Sequence, residues 1–160
     1  MSLIPGTTLD KIWPQLQKKQ KMSISHQLNE LLLKLRQLRR PNDMLFGGVC
    51  GEGCKDTRRH TRVSKAPIHD STEFENFLFS NPSFGGSVYI AILRGLLVHR
   101  ASNCVFTHGD VRPANIIVQP NSDGNYLITG LIDWETSGFY PDYFECIKAT
   151  NNMSALETDD

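Results

Sequence analysis

The sequence predicts a mainly helical α+β domain that carries one small β-hairpin. Three observations predict it. Residues 23–40 place Ile24, Leu28, Leu31, Leu35 and Leu38 at alternating steps of four and three, which draws one apolar stripe along a helix. Residues 88–98 hold Tyr89, Ile92, Leu93, Leu96 and Leu97, a second and more apolar helical pattern. Two apolar runs, Ile116-Ile117-Val118 and Leu127-Ile128-Thr129-Gly130-Leu131-Ile132, are joined by Pro120-Asn121-Ser122-Asp123-Gly124-Asn125. Asp-Gly between apolar runs is a strong hairpin signal.

The remaining elements follow in chain order. Pro5-Gly6 makes a turn, Thr7 or Thr8 caps a short helix that carries Trp13, and Pro14 ends or restarts it. The helix at 23–40 is capped by Ser23 or Ser25, favoured at its C-terminus by Arg39 and Arg40, and barred from continuing by Pro41. Its stripe suits either a coiled-coil partner or a core helix, and two heptads favour the core. Phe46-Gly47-Gly48-Val49-Cys50-Gly51-Glu52-Gly53-Cys54 is Gly-rich, but it follows a helix and no β pattern flanks it, so it is not read as a phosphate loop. Asp70-Ser71-Thr72-Glu73 fits a capping box for a short helix with Phe74, Phe77 and Leu78 on one face, stopped by Asn81-Pro82. The helix at 88–98, weakened at Gly95 and ended by His99 and Arg100, is apolar enough to be the buried helix beneath the hairpin. Cys104-Val105-Phe106 starts a strand, with Cys104 as a small core residue. Thr136-Ser137-Gly138 is a turn, and Pro141 suits the first position of a helix to about Thr150 that buries Tyr143, Phe144 and Ile147.

Composition narrows the function. Lys plus Arg and Asp plus Glu are 17 each, so net charge is zero and nothing global points to nucleic acid or an anionic membrane. No run reaches the roughly 18 apolar residues of a membrane span. No basic stretch followed by an apolar core opens the chain, and four cysteines in such a chain read as reduced thiols, so the expected compartment is the cytosol. Cys50, Cys54 and His60 offer three zinc-type ligands without a fourth nearby, and a polar loop is the preferred reading. The basic run Lys55, Arg58, Arg59, Arg62 and Lys65 has no interleaved aromatics, so solvated loop charge is preferred to nucleic-acid contact.

The hairpin has a chemical consequence. Counting outwards from Asp123-Gly124 brings Asn115 and Asp133 to the same end, within about one residue of register. Asp110 lies on the loop leading into the first arm. Carboxylate and amide oxygens, few in number, are what Mg²⁺ takes when phosphate and water complete its shell.

His108-Gly109-Asp110, four residues, Asn115, and then Ile132-Asp133-Trp134 resemble the signature of aminoglycoside phosphotransferase and choline kinase-type enzymes, small-molecule relatives of the protein kinases. The stretches from Phe106 to Ile116 and from Ile132 through Gly138-Phe139-Tyr140-Pro141 are most similar to a fungal branch. The resemblance is dense over residues 104–148 and looser before them. It implies the C-terminal lobe of the kinase-like fold over residues 1–150, with a frayed acidic tail at 151–160. It also implies an ATP- and Mg²⁺-dependent phosphotransferase, in which Asp110 takes or orients the acceptor's proton and Asn115 and Asp133 hold the metal ions that bridge the nucleotide phosphates. Protein kinases carry Arg where Gly109 stands, and the Gly points to a small-molecule acceptor.

Two neighbours complete the candidate catalytic set. His108 is either a general base or a loop-organising histidine, with the second preferred. Arg112 either contacts phosphate or acceptor or pairs with a carboxylate, and a site-lining role is preferred. Trp134 is expected to pack under Asp133. Many bacterial members carry an acid after Asp-Pro that steadies the catalytic loop; this chain has Tyr140-Pro141-Asp142-Tyr143-Phe144-Glu145, and Glu145 is the candidate substitute. In the family a Pro-Gly-x-x-Leu segment follows the interlobe hinge, so the resemblance implies that the small N-terminal β lobe is absent and that this is a truncated form or fragment. The alternative is a catalytically inactive remnant or binding module. The acceptor, and aminoglycosides in particular, cannot be read from these residues.

Overall fold

Asn121 builds the turn at the centre of the fold. Its side-chain Oδ1 accepts from the N–H groups of Asp123 and Asn125, and its backbone N–H donates to Asn125 O at 2.8 Å. The computed structural model describes residues 3–38, 40, 45–56, 62–65, 68–80, 86–96 and 103–150. The expectations placed on Arg39, Pro41, Arg58, Arg59, His60, Asn81-Pro82, Leu97, His99, Arg100 and the 151–160 tail lie outside these residues. The turn joins β5 (Ile116–Pro120) to β6 (Tyr126–Leu131). A bulge between Ile117 and Val118 leaves Thr129 as an extra residue on β6, and beyond it Ile117 lies opposite Gly130 and Ile116 opposite Leu131. That is the register counted from Asp123-Gly124. Ile132 N–H donates to Asn115 O at 3.0 Å, which carries the pairing to the site end of the hairpin.

The free edges of the hairpin are both covered. β1 (Thr7–Thr8) pairs antiparallel with β5. On the other edge, Gln27 of α2 (Lys18–Leu35) donates to Tyr126 O at 2.9 Å and accepts from Ile128 N–H at 3.0 Å, so one side chain stands in for a strand. Leu9 of α1 (Leu9–Ile12), Leu16, Ile24, Val111, Ile116, Val118 and Leu131 form the core between helix and hairpin. Pro14 sits in a 3₁₀ turn (Trp13–Gln15) as expected, while Thr8 precedes α1 without a side-chain cap.

The long helix is shifted from the expected 23–40. It starts at Lys18, with Gln20 Oε1 accepting from Gln17 N–H at 2.9 Å, so Ser23 and Ser25 lie inside it. Serine is a good cap only where the chain enters the helix. It ends at Leu35, and Leu38 is exposed rather than part of the stripe. Leu28, Leu31 and Leu35 pack on the core, so the core reading of this helix holds.

A second core lies under α3 (Ser71–Leu78). Asp70 Oδ1 caps it by accepting from Glu73 N–H at 2.9 Å, while Glu73 reaches back to His69 N–H at 2.9 Å. Phe74 is fully buried, with ring centroids 6.0 Å from Phe46, 5.9 Å from Tyr140 and 5.0 Å from Phe144. Tyr140 belongs to β7 (Gly138–Pro141), which pairs with β4 (Cys104–Thr107). The expected helix from Pro141 therefore begins later, as α5 (Phe144–Thr150). Pro141 ends a strand instead, a position where its missing N–H is tolerated.

Two further expectations are corrected. The Gly-rich segment does have β neighbours: Phe46 bridges Ile68, Gly47 bridges Phe139, and β2 (Lys55–Asp56) pairs with β3 (Arg62–Val63). Gly47 and Gly138 meet so closely that a Cβ on Gly138 would lie 2.2 Å from Gly47 O. The second correction concerns α4 (Ser87–Leu96), which is not buried beneath the hairpin. Val88 is 72% and Ile92 57% exposed, and Arg94 ties the helix to α3 by donating to Asn76 Oδ1 at 2.7 Å. Apolar content says that a face is sticky, not what it touches. The described residues thus form a mixed α+β structure of five α-helices and three small antiparallel sheets, less helical than expected. Among them no helix is long and apolar enough to cross a membrane.

Phe74 makes the second core testable. Phe74→Ala should lower unfolding free energy by about 3–5 kcal/mol, read as a lower denaturant midpoint at unchanged m-value.

Candidate active site

The site is assembled on the loop between β4 and β5. Leaving β4, the chain turns sharply at His108-Gly109, and both backbone N–H groups donate to one buried carboxylate. His108 N–H reaches Glu145 Oε2 at 2.6 Å and Gly109 N–H reaches Glu145 Oε1 at 3.0 Å. Glu145 thus occupies the loop-steadying place for which it was the candidate. Gly109 has φ +83°, and a Cβ there would lie 2.7 Å from Thr136 O, so this position excludes the arginine of protein kinases on steric grounds.

His108 is fully buried, and both ring nitrogens are engaged. Nδ1 accepts from Asp110 N–H at 3.2 Å, which makes Nε2 the donor to Ile132 O at 3.0 Å. Its ring packs 4.4 Å from that of Trp134. Both nitrogens thus face backbone groups inside the protein, an arrangement that suits the loop-organising reading. Burial pushes its pKa below the usual value, against the opposing pull of Glu145 and the other nearby carboxylates.

Asp110 is held from two sides. Asn115 Nδ2 donates to its Oδ2 at 2.7 Å and to its backbone O at 2.9 Å, and Arg112 Nε lies 3.1 Å from the same Oδ2. Among the described residues, then, Oδ1 is the oxygen left to take a proton. A 3₁₀ turn (Pro113–Asn115) with proline at its start sets Asn115, and Val111 is buried in the hairpin core below the loop. With Nδ2 committed to Asp110, the amide oxygen of Asn115 is the atom it can offer a cation.

Asp133 enters from the other arm. It has φ +66°, a left-handed conformation that Asp tolerates better than most residues. Arg112 terminal nitrogen lies 3.8 Å from its Oδ2, so one guanidinium spans the Asp110 and Asp133 carboxylates. Trp134 packs beside the loop, on His108 and Phe106, with Nε1 donating to Leu131 O at 2.9 Å. The hard oxygens of Asp133 and Asn115 fit Mg²⁺, which usually takes one or two protein oxygens and fills its shell with water and phosphate.

The fold brings Asp110, Arg112, Asn115 and Asp133 together and sets His108 behind them. The Gly-rich loop supplies something that sequence reasoning missed. Lys55 Nζ donates to Glu135 O at 3.1 Å, two residues past Asp133. Thr136, buried against Gly109, was missed as well. Neither carries a local signal, since both act through backbone. Cys54 is a fully buried thiol whose pKa burial pushes up to about 12, whereas Cys50 is exposed.

His108 gives a pH dependence. Its depressed pKa means that the unfolded chain binds a proton more readily, so the stability it contributes is present above pH ~6.5 and lost as pH falls below that value. Melting temperature should decline through that range, with a shallower decline in His108→Gln, as followed by calorimetry across pH 5–8.

No curated protein and no solved structure matches the chain significantly. A family model does match, that of the phosphotransferase enzyme family designated APH, over residues 1–158. Its members are ATP-dependent phosphotransferases of the kinase-like fold. With the match spanning nearly the whole sequence, the chain belongs to the phosphotransferase enzyme family.

Proposed function

We propose that this chain is a large-lobe phosphotransferase domain that moves the terminal phosphoryl group of ATP, with Mg²⁺, to a hydroxyl of a small molecule. One observation carries the reading: Asp110, Asn115 and Asp133 converge at one end of the hairpin, with Arg112 spanning the two carboxylates at 3.1 and 3.8 Å. Asp110 is the base. Its Oδ2 is fixed by Asn115 and Arg112, and Oδ1 orients the acceptor hydroxyl and receives its proton as the hydroxyl oxygen attacks the γ-phosphorus and ADP leaves. Arg112 balances the two carboxylates and offers its remaining donors to phosphate oxygens. Mg²⁺ held by Asp133 and Asn115 would neutralise charge on the nucleotide phosphates.

Supporting this reading, Glu145 and His108 hold the loop from behind, so the base is positioned before any ligand arrives. The four free thiols suit a reducing compartment, which favours the cytosol, and the zero net charge favours a small-molecule acceptor over nucleic acid or membrane. A second reading is a binding module that holds no nucleotide and turns nothing over.

Calorimetry with ATP and Mg²⁺ separates the two readings. Binding in the intact chain that weakens at least about tenfold in Asp133→Ala supports the metal–nucleotide site; no binding by folded protein would leave the chain without kinase activity of its own. Where turnover is found against a hydroxylated acceptor, Asp110→Asn should lower kcat about 10²–10⁴-fold while nucleotide affinity changes little.

A further inference from the structure

Asp133 sits in a left-handed conformation, and the segment around it is pinned from outside on both sides. Before it, His108 Nε2 donates to Ile132 O at 3.0 Å. After it, Lys55 Nζ donates to Glu135 O at 3.1 Å. Within the segment, Ser137 N–H and Oγ both close onto Trp134 O, at 3.0 and 2.7 Å, so residues 134–137 form one hydrogen-bonded turn. We infer that Lys55 is a positioning residue for Asp133, acting through the Glu135 carbonyl. The inference rests on the metal-binding role given to Asp133 in the proposed function.

Lys55 is itself well held, which is what a positioning group requires. Its backbone N–H donates to the buried Tyr140 hydroxyl at 3.2 Å, and its residue pairs with Val63 across β2 and β3. Its ammonium also lies 3.9 Å from Glu52 Oε1. Glu52 in turn is fixed by accepting from Cys50 N–H at 2.8 Å, and hydrogen bonds from its own backbone and from Cys50 N–H hold its carboxyl below the usual range. The chain of contacts therefore runs from the Gly-rich turn, through Glu52 and Lys55, to the turn that presents Asp133. An ammonium donor is suited to this task because a charge-assisted bond to a carbonyl is stronger than a neutral one. The partly exposed position moderates its effect.

The test compares the intact chain with Lys55→Met, which keeps the aliphatic stem, and Lys55→Arg, which keeps a charged donor. Two readouts are taken: amide hydrogen exchange over residues 133–138 in protein alone, and affinity for Mn²⁺ with ATP. Lys55→Met should speed exchange over 133–138 by about fivefold, leave 116–120 unchanged, and weaken Mn²⁺·ATP about 5–10-fold. Lys55→Arg should restore both, at a melting temperature close to that of the intact chain. Unchanged exchange in Lys55→Met beside normal binding by the intact chain would remove Lys55 from this role and leave the phosphotransferase reading standing. Faster exchange with undiminished Mn²⁺·ATP affinity would make Lys55 a structural tether only and overturn the inference. An intact chain that binds neither Mn²⁺ nor ATP sinks the functional reading and the positioning role together.

Discussion

One carboxylate holds the catalytic loop in place. The turn leaving β4 presents two consecutive backbone N–H groups, of His108 and Gly109, to the protein interior, where water cannot reach them. Unsatisfied, each would cost about 1–3 kcal/mol. Glu145 takes both, at 2.6 and 3.0 Å. That pairing lets Gly109 stay at φ +83° and seats His108 deeply enough for its ring to bridge Asp110 N–H and Ile132 O. Through that bridge, the loop that carries Asp110 is tied to the segment that carries Asp133. The price of burying Glu145 is thereby converted into the spacing of two other carboxylates.

The same constraint explains why Gly109 is glycine. Thr136 packs against it, with its carbonyl 2.7 Å and its hydroxyl 2.9 Å from where a Cβ would stand. Thr136 belongs to the turn that follows Asp133. Any side chain at 109 would therefore push the two halves of the site apart, whatever its charge. The absence of the kinase arginine was read from sequence as a statement about the acceptor. The structure adds a simpler one, that the two loops touch backbone to backbone.

What was legible in the sequence had short-range, self-contained signals. The hairpin was, because Asp123-Gly124 fixes where the chain reverses, and the Thr129 bulge happens to return the pairing to the counted register at Ile116 and Leu131. The α3 capping box was, because Asp70 accepts from Glu73 N–H and Glu73 accepts from His69 N–H, all within one turn of chain. What failed depended on a partner far away in sequence. Pro141 can begin a helix or end a strand, and only β4 decides between them. The apolar positions of α4 require a neighbour without naming one, and the hairpin's neighbour is α2, whose Gln27 completes the β6 edge. Lys55 read as one charge in a basic loop, since a bond to a carbonyl 80 residues on leaves no trace in local pattern.

The candidate site was more legible than the fold around it, for a physical reason. Phosphoryl transfer asks for a few oxygen ligands and a base at fixed separation, and a short loop plus a hairpin meets that demand within about twenty-five residues. Holding those groups is a different problem. Asp133 occupies a backbone region that most side chains avoid, and such a conformation persists only where the surroundings over-determine it. The contacts that do so come from three separate parts of the chain: His108 before the hairpin, Thr136 after it, and Lys55 from β2 far upstream. The chemistry is thus written in neighbouring residues, while its precision is distributed over contacts that only the folded chain brings together.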